Sequence, residues 1–300
     1  MSYLALSGGL FAATGLFDAQ AQQLQFSSQG QLAGLILLMM LLPTWMIGCM
    51  FVTQRHSMAI ARRLSPELPQ GISKVPGSYV WAGLGAGLFY ALAFNVPTSQ
   101  YDQVLAGSAP MIGIFVGQVL LWLGVGALIA IRLYVGGVFY RYGQRVEITI
   151  FEQSRLQPFA RIGMLDVAIA VGCMVIATVQ SIDAQFRIGN YLSGLLVAVP
   201  AATALLVRPM WTVHSRLKMR KNELSDEIRR KIENASEQGS DAEIAALEFL
   251  LKRRDRITAL HTWPLDFAIW RRLFFYGLIP PLAWLGAAVV EVLVQSVLTG

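Results

Sequence analysis

The sequence predicts an all-α, polytopic integral membrane protein with six transmembrane helices and a cytoplasmic antiparallel helical hairpin between the fifth and the sixth. Three observations support this fold class. Hydrophobic residues make up 55% of the 300 residues and charged residues only 14%, whereas soluble domains carry about 25% charged residues. Six apolar runs reach or approach the length of about 20 residues that crosses a bilayer. Arg and Lys are confined to a few clusters, which is not the pattern of a nucleic-acid-binding protein.

The predicted elements follow one another in four blocks. An extracytoplasmic N-terminal segment covers residues 1–31, five transmembrane helices lie within 32–207, the basic hairpin covers 208–270, and the last transmembrane helix lies within 271–300. The short loop between the fourth and fifth runs predicts a tight turn between two neighbouring helices. The six apolar runs cover residues 32–53, 78–96, 111–131, 165–182, 190–207 and 271–298.

The N-terminal segment contains an apolar stretch from Tyr3 to Phe17 that carries no charge. Its 15 residues are fewer than a transmembrane helix needs, and it lacks the positive flank of a signal peptide. We expect an interfacial or re-entrant helix on the outer face. A seventh span and a cleaved leader are the alternatives, because neither flank carries Lys or Arg to fix its position.

The distribution of basic residues predicts the orientation of the chain. Of the 24 Arg and Lys residues, all except Arg187 fall in the loops after the first and third runs or in the segment from 208 to 272. Arg132 is assigned to the loop that follows the third run. Since cytoplasmic loops carry the excess of Arg and Lys, we expect a multi-pass protein of a bacterial-type inner (plasma) membrane, with both termini extracytoplasmic.

The basic segment has the pattern of two helices. One apolar stripe includes Leu224 and Ile228, and it ends before Gly239, a residue suited to the position after a helix. Ser240 and Glu243 then form a capping box for a second helix. That helix can pair with the first alone, or it can also dock a partner or assemble copies of the chain, and its basic surface attracts anionic lipid headgroups. The candidate assembly residues are Leu224, Ile228, Leu247, Leu251 and Phe249.

Polar side chains inside the apolar runs form the candidate intramembrane site. In the sixth run Glu291 and Gln295 share a stripe with small residues, and in the fourth run Asp166 and Gln180 lie at opposite ends of a similar stripe. Polar and small residues bring transmembrane helices together, so a contact between Glu291 and Gln180 is expected. It serves either as a hydrogen bond that fixes helix register or as part of an ion or proton site.

Glycines in the second and third runs form two further patterns. Gly83, Gly85 and Gly87 lie close together in the second run, and Gly113 and Gly117 share one face of the third. Glycine lets neighbouring transmembrane helices approach closely. We expect packing seams at both places, with a pore lining or a hinge as the alternative.

No sequence motif points to catalysis. The chain has no phosphate-binding loop, nucleophile elbow or dinucleotide fingerprint, so we expect no enzyme and no catalytic, cofactor or metal site. The two cysteines, Cys49 and Cys173, lie in apolar runs and are expected to be free thiols. The favoured hypothesis is an oligomeric channel or transporter. The alternative is a structural or accessory subunit of a larger membrane complex.

Overall fold

The protein is described by a computed structural model that covers residues 2–24, 26–64, 75–95, 98–145, 156–181, 188–235 and 241–259, with isolated positions 271, 275, 282 and 286. Within these residues the chain is helical and has no β-strand. Single turns of other helical types extend two of the helices, Ala91–Asn95 after the third and Thr178–Ser181 after the sixth. The helices are Ser2–Ala13 (α1), Gln29–Leu64 (α2), Gly77–Tyr90 (α3), Thr98–Leu105 (α4), Ala109–Arg145 (α5), Gln157–Ala177 (α6), Ile188–Ala235 (α7) and Asp241–Ala259 (α8).

Five helices of the described chain are long and apolar enough to cross a membrane. They comprise most of α2, the whole of α5, most of α7, and α3 and α6 with their terminal turns. These helices overlap the first five predicted runs, and the sixth run, 271–298, falls almost entirely outside the described residues. Several are longer than a bilayer requires. The 37 residues of α5 correspond to about 55 Å at 1.5 Å per residue, against a hydrocarbon thickness of about 30 Å.

The five long helices pack against one another through glycine contacts. A side chain at Gly87 in α3 would strike the Trp122 carbonyl of α5, and one at Gly34 in α2 would strike the Val179 carbonyl that follows α6. At Gly163 in α6 the obstacle is the backbone of α7, with the Leu206 carbonyl 2.8 Å from an added Cβ. Small residues therefore allow close backbone approach, and the predicted seam in the second run is confirmed.

We name the two ends of the bundle by their side chains. The amide end is where α2 and α5 begin and where α3 and α6 end, and Gln31, Asn95 and Gln180 lie there. The basic end is the opposite one, where α5 finishes with Arg145 and α7 continues beyond the bundle.

The N-terminal helix α1 packs lengthwise against α2 and α5. Its first turn reaches the middle of α2, where Tyr3 Oη donates to the Met39 carbonyl at 3.4 Å. Farther along, Phe11 is fully buried, and its ring lies 3.1 Å from a Cβ built on Gly117. Thr14, just after the helix, fills the space beside Gly113. The third-run glycines thus form the predicted packing seam, with α1 as one of the elements that occupy it.

Two separate apolar cores stabilise the bundle. The core nearer the amide end joins α1, α2, α5 and α6 around Phe11, Met39 and Trp122. The core nearer the basic end joins α2, α5, α6 and α7 around Phe139, Phe159 and Val213. Burial of a large apolar side chain contributes about 1.5–3 kcal/mol to folding in water. In a bilayer the lipid tails are as apolar as the side chains, so close packing contributes the larger part of the stabilisation.

Helix α8 lies against the distal part of α7. Lys221 Nζ donates to the Thr258 carbonyl at 2.7 Å, and Ile228 and Ile257 are buried. The fifth predicted run and the first helix of the predicted hairpin are one uninterrupted helix, 48 residues long. The turn around Gly239 lies outside the described residues. Along both arms the charged residues form ion pairs one turn apart, as Lys231 does with Glu227.

Candidate functional site

The candidate site is a cavity of about 340 Å³ lined mainly by α2, α5, α6 and α7. Its volume is within the range of small-molecule sites, about 300–1,000 Å³. The wall consists mainly of apolar side chains from α2 and α5, including Met39, Met46 and Trp122. Small residues of α6 and α7, among them Ala170 and Ala201, line the other side and leave the space open.

Amide side chains gather where the cavity approaches the amide end. The lining there includes Gln31, Asn95, Gln100, Gln118 and Gln180, from five different parts of the chain. The side-chain oxygens of Gln100 and Gln118 are buried and have no hydrogen-bond partner among the described residues. Amide side chains carry both hydrogen-bond donors and acceptors, so this end of the cavity wall is more polar than its middle.

A buried ion pair forms the other end of the cavity. Arg132 of α5 and Asp166 of α6 are only 2% and 1% exposed, and the Arg132 Nε donates to Asp166 Oδ1 at 2.5 Å. Arg132 Nη1 also donates to the Ser57 hydroxyl of α2 at 3.3 Å. The remaining atoms of the pair, Arg132 Nη2 and Asp166 Oδ2, are buried without a partner in the described structure.

The pair joins three helices at a depth where either charge alone would be unfavourable. Removing an ion from water costs several kcal/mol, and the opposite charge offsets this only when the geometry is good and the other hydrogen bonds are made. Here two of those hydrogen bonds are missing. A buried polar atom without a partner costs about 1–3 kcal/mol, so the pair offsets only part of the cost of its own burial.

Helices α5 and α6 place their polar residues at matching levels along the cavity. Gln118 precedes Arg132 by fourteen residues on α5, and Gln180, in the turn that extends α6, follows Asp166 by fourteen. Fourteen residues are almost four turns of α-helix and a rise of about 21 Å. Both helices therefore present an amide near one end of the cavity and a charge at the other.

Aromatic packing closes the structure beyond the ion pair. Phe139 lies two turns past Arg132, and Phe159 lies two turns before Asp166, on the same side of the pair. Both rings are fully buried, and they meet edge to face with centroids 6.1 Å apart. No described residue of α5 beyond Arg132 lines the cavity, so the cavity ends at the ion pair.

The predicted site residues lie in different parts of the structure, and only two of those that it describes line the cavity. Asp166 and Gln180 both line the cavity, at opposite ends. Glu291 and Gln295 lie outside the described residues, so the expected contact with Gln180 stays a prediction. Of the residues assigned to the predicted hairpin, Ile228 is buried, Leu224 and Leu251 are half-buried, and Phe249 is 64% exposed. Leu247 belongs to α8, but its side chain is not among those described.

Arg132 and Gln118 are the site residues that sequence reasoning missed. Arg132 was assigned to a loop, yet it lies inside α5 and is buried. Asp166 therefore pairs with Arg132, thirty-four residues away, and not with Arg161, which is nearer in sequence and exposed. The equal fourteen-residue spacings on the two helices are the signal that could have indicated both residues.

The reactive and metal-binding side chains of the described chain are few. Cys49 and Cys173 are free thiols, as predicted, and Cys173 lines the cavity whereas Cys49 does not. Within the described residues no three His, Cys, Asp or Glu side chains converge as a metal site would require. No family model, no curated protein and no solved structure matches this chain.

Proposed function

We propose that this chain is a transporter of a bacterial-type inner membrane and that the cavity is its translocation pathway. The observation that carries the proposal is one apolar-walled cavity with amides at one end and a buried ion pair at the other. Polar groups at membrane depth are expensive and mark solute pathways when they face a cavity. The proposed activity includes no chemical conversion of the solute.

A gated transporter fits the geometry better than a permanently open channel. The contact between Phe139 and Phe159 blocks the bundle between the ion pair and the basic end. In the orientation that the basic residues predict, the amide end is extracytoplasmic and the Phe139–Phe159 contact faces the cytoplasm. Transport then requires α5 and α6 to separate at this contact while the amide end closes, as alternating access demands.

Cys173 offers a direct test, because it lines the cavity and the chain has only one other cysteine. In a Cys49→Ser variant, a membrane-impermeant thiosulfonate should modify Cys173 in intact cells and leave it unmodified in inside-out vesicles. Phe139→Ala should open the second route, so that Cys173 then reacts in inside-out vesicles as well. A Cys49→Ser, Cys173→Ser double variant gives the background labelling.

Two results would contradict transport through this cavity. Cys173 that reacts from neither side would show that the cavity is not reached by solvent. Cys173 that stays inaccessible from the basic end after Phe139→Ala would make the cavity a one-sided pocket. An unchanged labelling rate in intact cells shows that the Phe139→Ala protein keeps its fold.

An accessory subunit is the second candidate, and Phe249 is the observation that favours it. This side chain is 64% exposed on α8, among charged residues such as the Lys252–Glu248 pair. A large apolar side chain on such a surface suits a protein contact, with copies of this chain or with another membrane protein. The basic residues of α7 and α8 would in either case face anionic headgroups.

Native mass spectrometry of the gently solubilised protein distinguishes these partners. A homo-oligomer that Phe249→Ala dissociates assigns α8 to self-assembly. A stoichiometric second protein that Phe249→Ala releases favours the accessory function. Lys252→Ala, on the same helix, is the matched control and should change neither complex. A monomer in both the parent and the variant contradicts the assembly role of α8.

A further inference from the structure

A second recess lies on the surface of the bundle, between α5 and α7. Its volume is about 410 Å³, and it shares no lining residue with the cavity of the candidate site. One charged side chain, Arg208, lies in it, and we call it the Arg208 groove. The lining residues are Leu133 and Tyr140 of α5 and Ala204, Val207, Arg208 and Trp211 of α7.

Arg208 lies across the surface of α5 because two glycines leave room for it. Its Cδ atom is 3.7 Å from a Cβ built on Gly136, and its Nη2 atom is 3.2 Å from a Cβ built on Gly137. A large side chain at Gly137 would therefore occupy the place of the guanidinium. The shape of α5 thus positions this charge at the groove.

The charge of Arg208 has no compensating partner in the part of the chain that the structure describes. Arg132 pairs with Asp166, and Arg220 pairs with Glu223. Arg208 forms neither an ion pair nor a hydrogen bond with any described residue, and no carboxylate lines the described groove. Its side chain is exposed, so a ligand from outside the protein can reach the guanidinium.

The order of side chains along both helices matches the depth profile of a phospholipid. The predicted apolar runs end at residues 131 and 207, and Arg208 follows directly. Toward the basic end α5 presents Leu133 and then Tyr140, and α7 presents Ala204, Arg208 and then Trp211, which is 52% exposed. Tyr and Trp are enriched where hydrocarbon meets the headgroups. Arg208 therefore lies at the level of lipid phosphates, between an apolar wall and an aromatic one.

The charge of the groove selects among phospholipids. A guanidinium binds a phosphate through two parallel hydrogen bonds, and every phospholipid offers that group. A zwitterionic headgroup also brings an ammonium close to Arg208, and the described groove has no carboxylate to receive it. A headgroup with net negative charge compensates Arg208 without this repulsion.

We propose that the Arg208 groove binds one phospholipid with a net negative headgroup. Its phosphate lies on the Arg208 guanidinium, and an acyl chain lies along Leu133, Ala204 and Val207. A general attraction of basic residues to anionic lipid is a different property, because here one lipid occupies one shaped groove. The site is separate from the cavity and does not depend on transport.

The test is native mass spectrometry of the purified, full-length protein in detergent, titrated with phosphatidylglycerol or with phosphatidylcholine of the same acyl chains. The readout is the dissociation constant of the first bound lipid. Phosphatidylglycerol should bind the more tightly, and Arg208→Gln should weaken its binding about tenfold, because charge-assisted hydrogen bonds to the phosphate are lost. Arg141→Gln is the matched control and should change the constant much less, since Arg141 is exposed on α5 beside Tyr140 but does not line the groove.

Two glycine variants distinguish a shaped site from a general attraction between charges. Gly137→Leu keeps every charge but fills the place of the guanidinium, so it should weaken phosphatidylglycerol binding nearly as much as Arg208→Gln. The three atoms nearest to a Cβ at this position all belong to the flexible Arg208 side chain, so the packing of α5 on α7 is kept. Gly136→Ala meets Arg208 only at ordinary contact distance and should leave the binding unchanged.

Each part of the proposal has a result that would overturn it. Equal affinity for the two lipids overturns the requirement for net negative charge. Equal losses from Arg208→Gln and Arg141→Gln overturn the groove as the binding site. Displacement of the lipid by an excess of glycerol 3-phosphate, which has the phosphate but no acyl chain, makes this a site for a soluble phosphate. A dimer that forms in place of the lipid-bound monomer, and that Arg208→Gln dissociates, assigns the groove to a second copy of the chain.

Discussion

At the scale of single residues, Arg132 and Asp166 each depend on the other because both are almost fully buried. Removal of one partner leaves an uncompensated buried charge, which costs about 3–5 kcal/mol. Replacement of both by apolar residues of similar size is commonly neutral or stabilising. Stability alone therefore does not require a charged pair at this place in the bundle.

Substitution at the pair tests this mutual dependence. Arg132→Met alone should lower the free energy of unfolding by about 3–5 kcal/mol, whereas the Arg132→Met, Asp166→Leu double variant should recover most of that loss. Thermal unfolding of the three proteins in one detergent checks this. The exposed Arg220–Glu223 pair is the matched control, and Arg220→Ala should change the melting temperature little. A double variant as unstable as the single one would contradict the mutual dependence.

Residue identity alone could not predict this pair. Hydropathy correctly locates an apolar run that stops at residue 131, and Arg132 then has the appearance of the first cytoplasmic charge. The helix continues to Arg145 because Val135, Val138 and Phe139 are buried in the core at the basic end. Whether an arginine at the edge of an apolar run faces water or a buried partner depends on a residue of another helix, and only tertiary packing brings Asp166 to it.

At the scale of the helical elements, α3 and α5 are held together by backbone contact at glycines. A Cβ at Gly87 would strike the Trp122 carbonyl, and the Gly126 carbonyl lies 2.6 Å from a Cβ at Gly83. Gly85 is in the same run, yet a Cβ there meets no described atom within 4 Å. The sequence predicted a packing seam in this run, but the choice of which glycines face the partner required the structure.

Gly85 and Gly87 provide an internally controlled prediction. Gly87→Ala should destabilise the protein by about 1–3 kcal/mol, because two backbones must separate to admit the methyl group. Gly85→Ala should be neutral or slightly stabilising, since alanine is the better helix former by up to about 1 kcal/mol. Melting temperatures of both variants in the same detergent give the comparison. Equal effects of the two substitutions would show that α3 and α5 do not pack through Gly87.

At the scale of the whole molecule, a stripe of small residues has two possible meanings that sequence cannot distinguish. Asp166, Ala170, Cys173, Ala177 and Gln180 recur at helical spacing, a pattern typical of a face that packs on another helix. In the structure all five line the cavity. Small side chains allow close approach when a partner helix is adjacent and leave a void when it is farther away. The separation of α5 from α6, which no single helix encodes, decides between the two.

The orientation of the molecule is the remaining whole-molecule expectation, and it determines which way the cavity faces. The basic residues predict that the amide end is extracytoplasmic and that α8 is cytoplasmic. Ala106 lies exposed in the turn between α4 and α5, at the amide end, and the Lys252 side chain is 71% exposed on α8.

In a background in which Cys49 and Cys173 are serine, Ala106→Cys should react with a membrane-impermeant maleimide in intact cells. Lys252→Cys should react only after the inner membrane is permeabilised. The reverse result would invert the molecule, and the Phe139–Phe159 contact would then close the cavity toward the outside, which makes the chain a candidate exporter loaded from the cytoplasm.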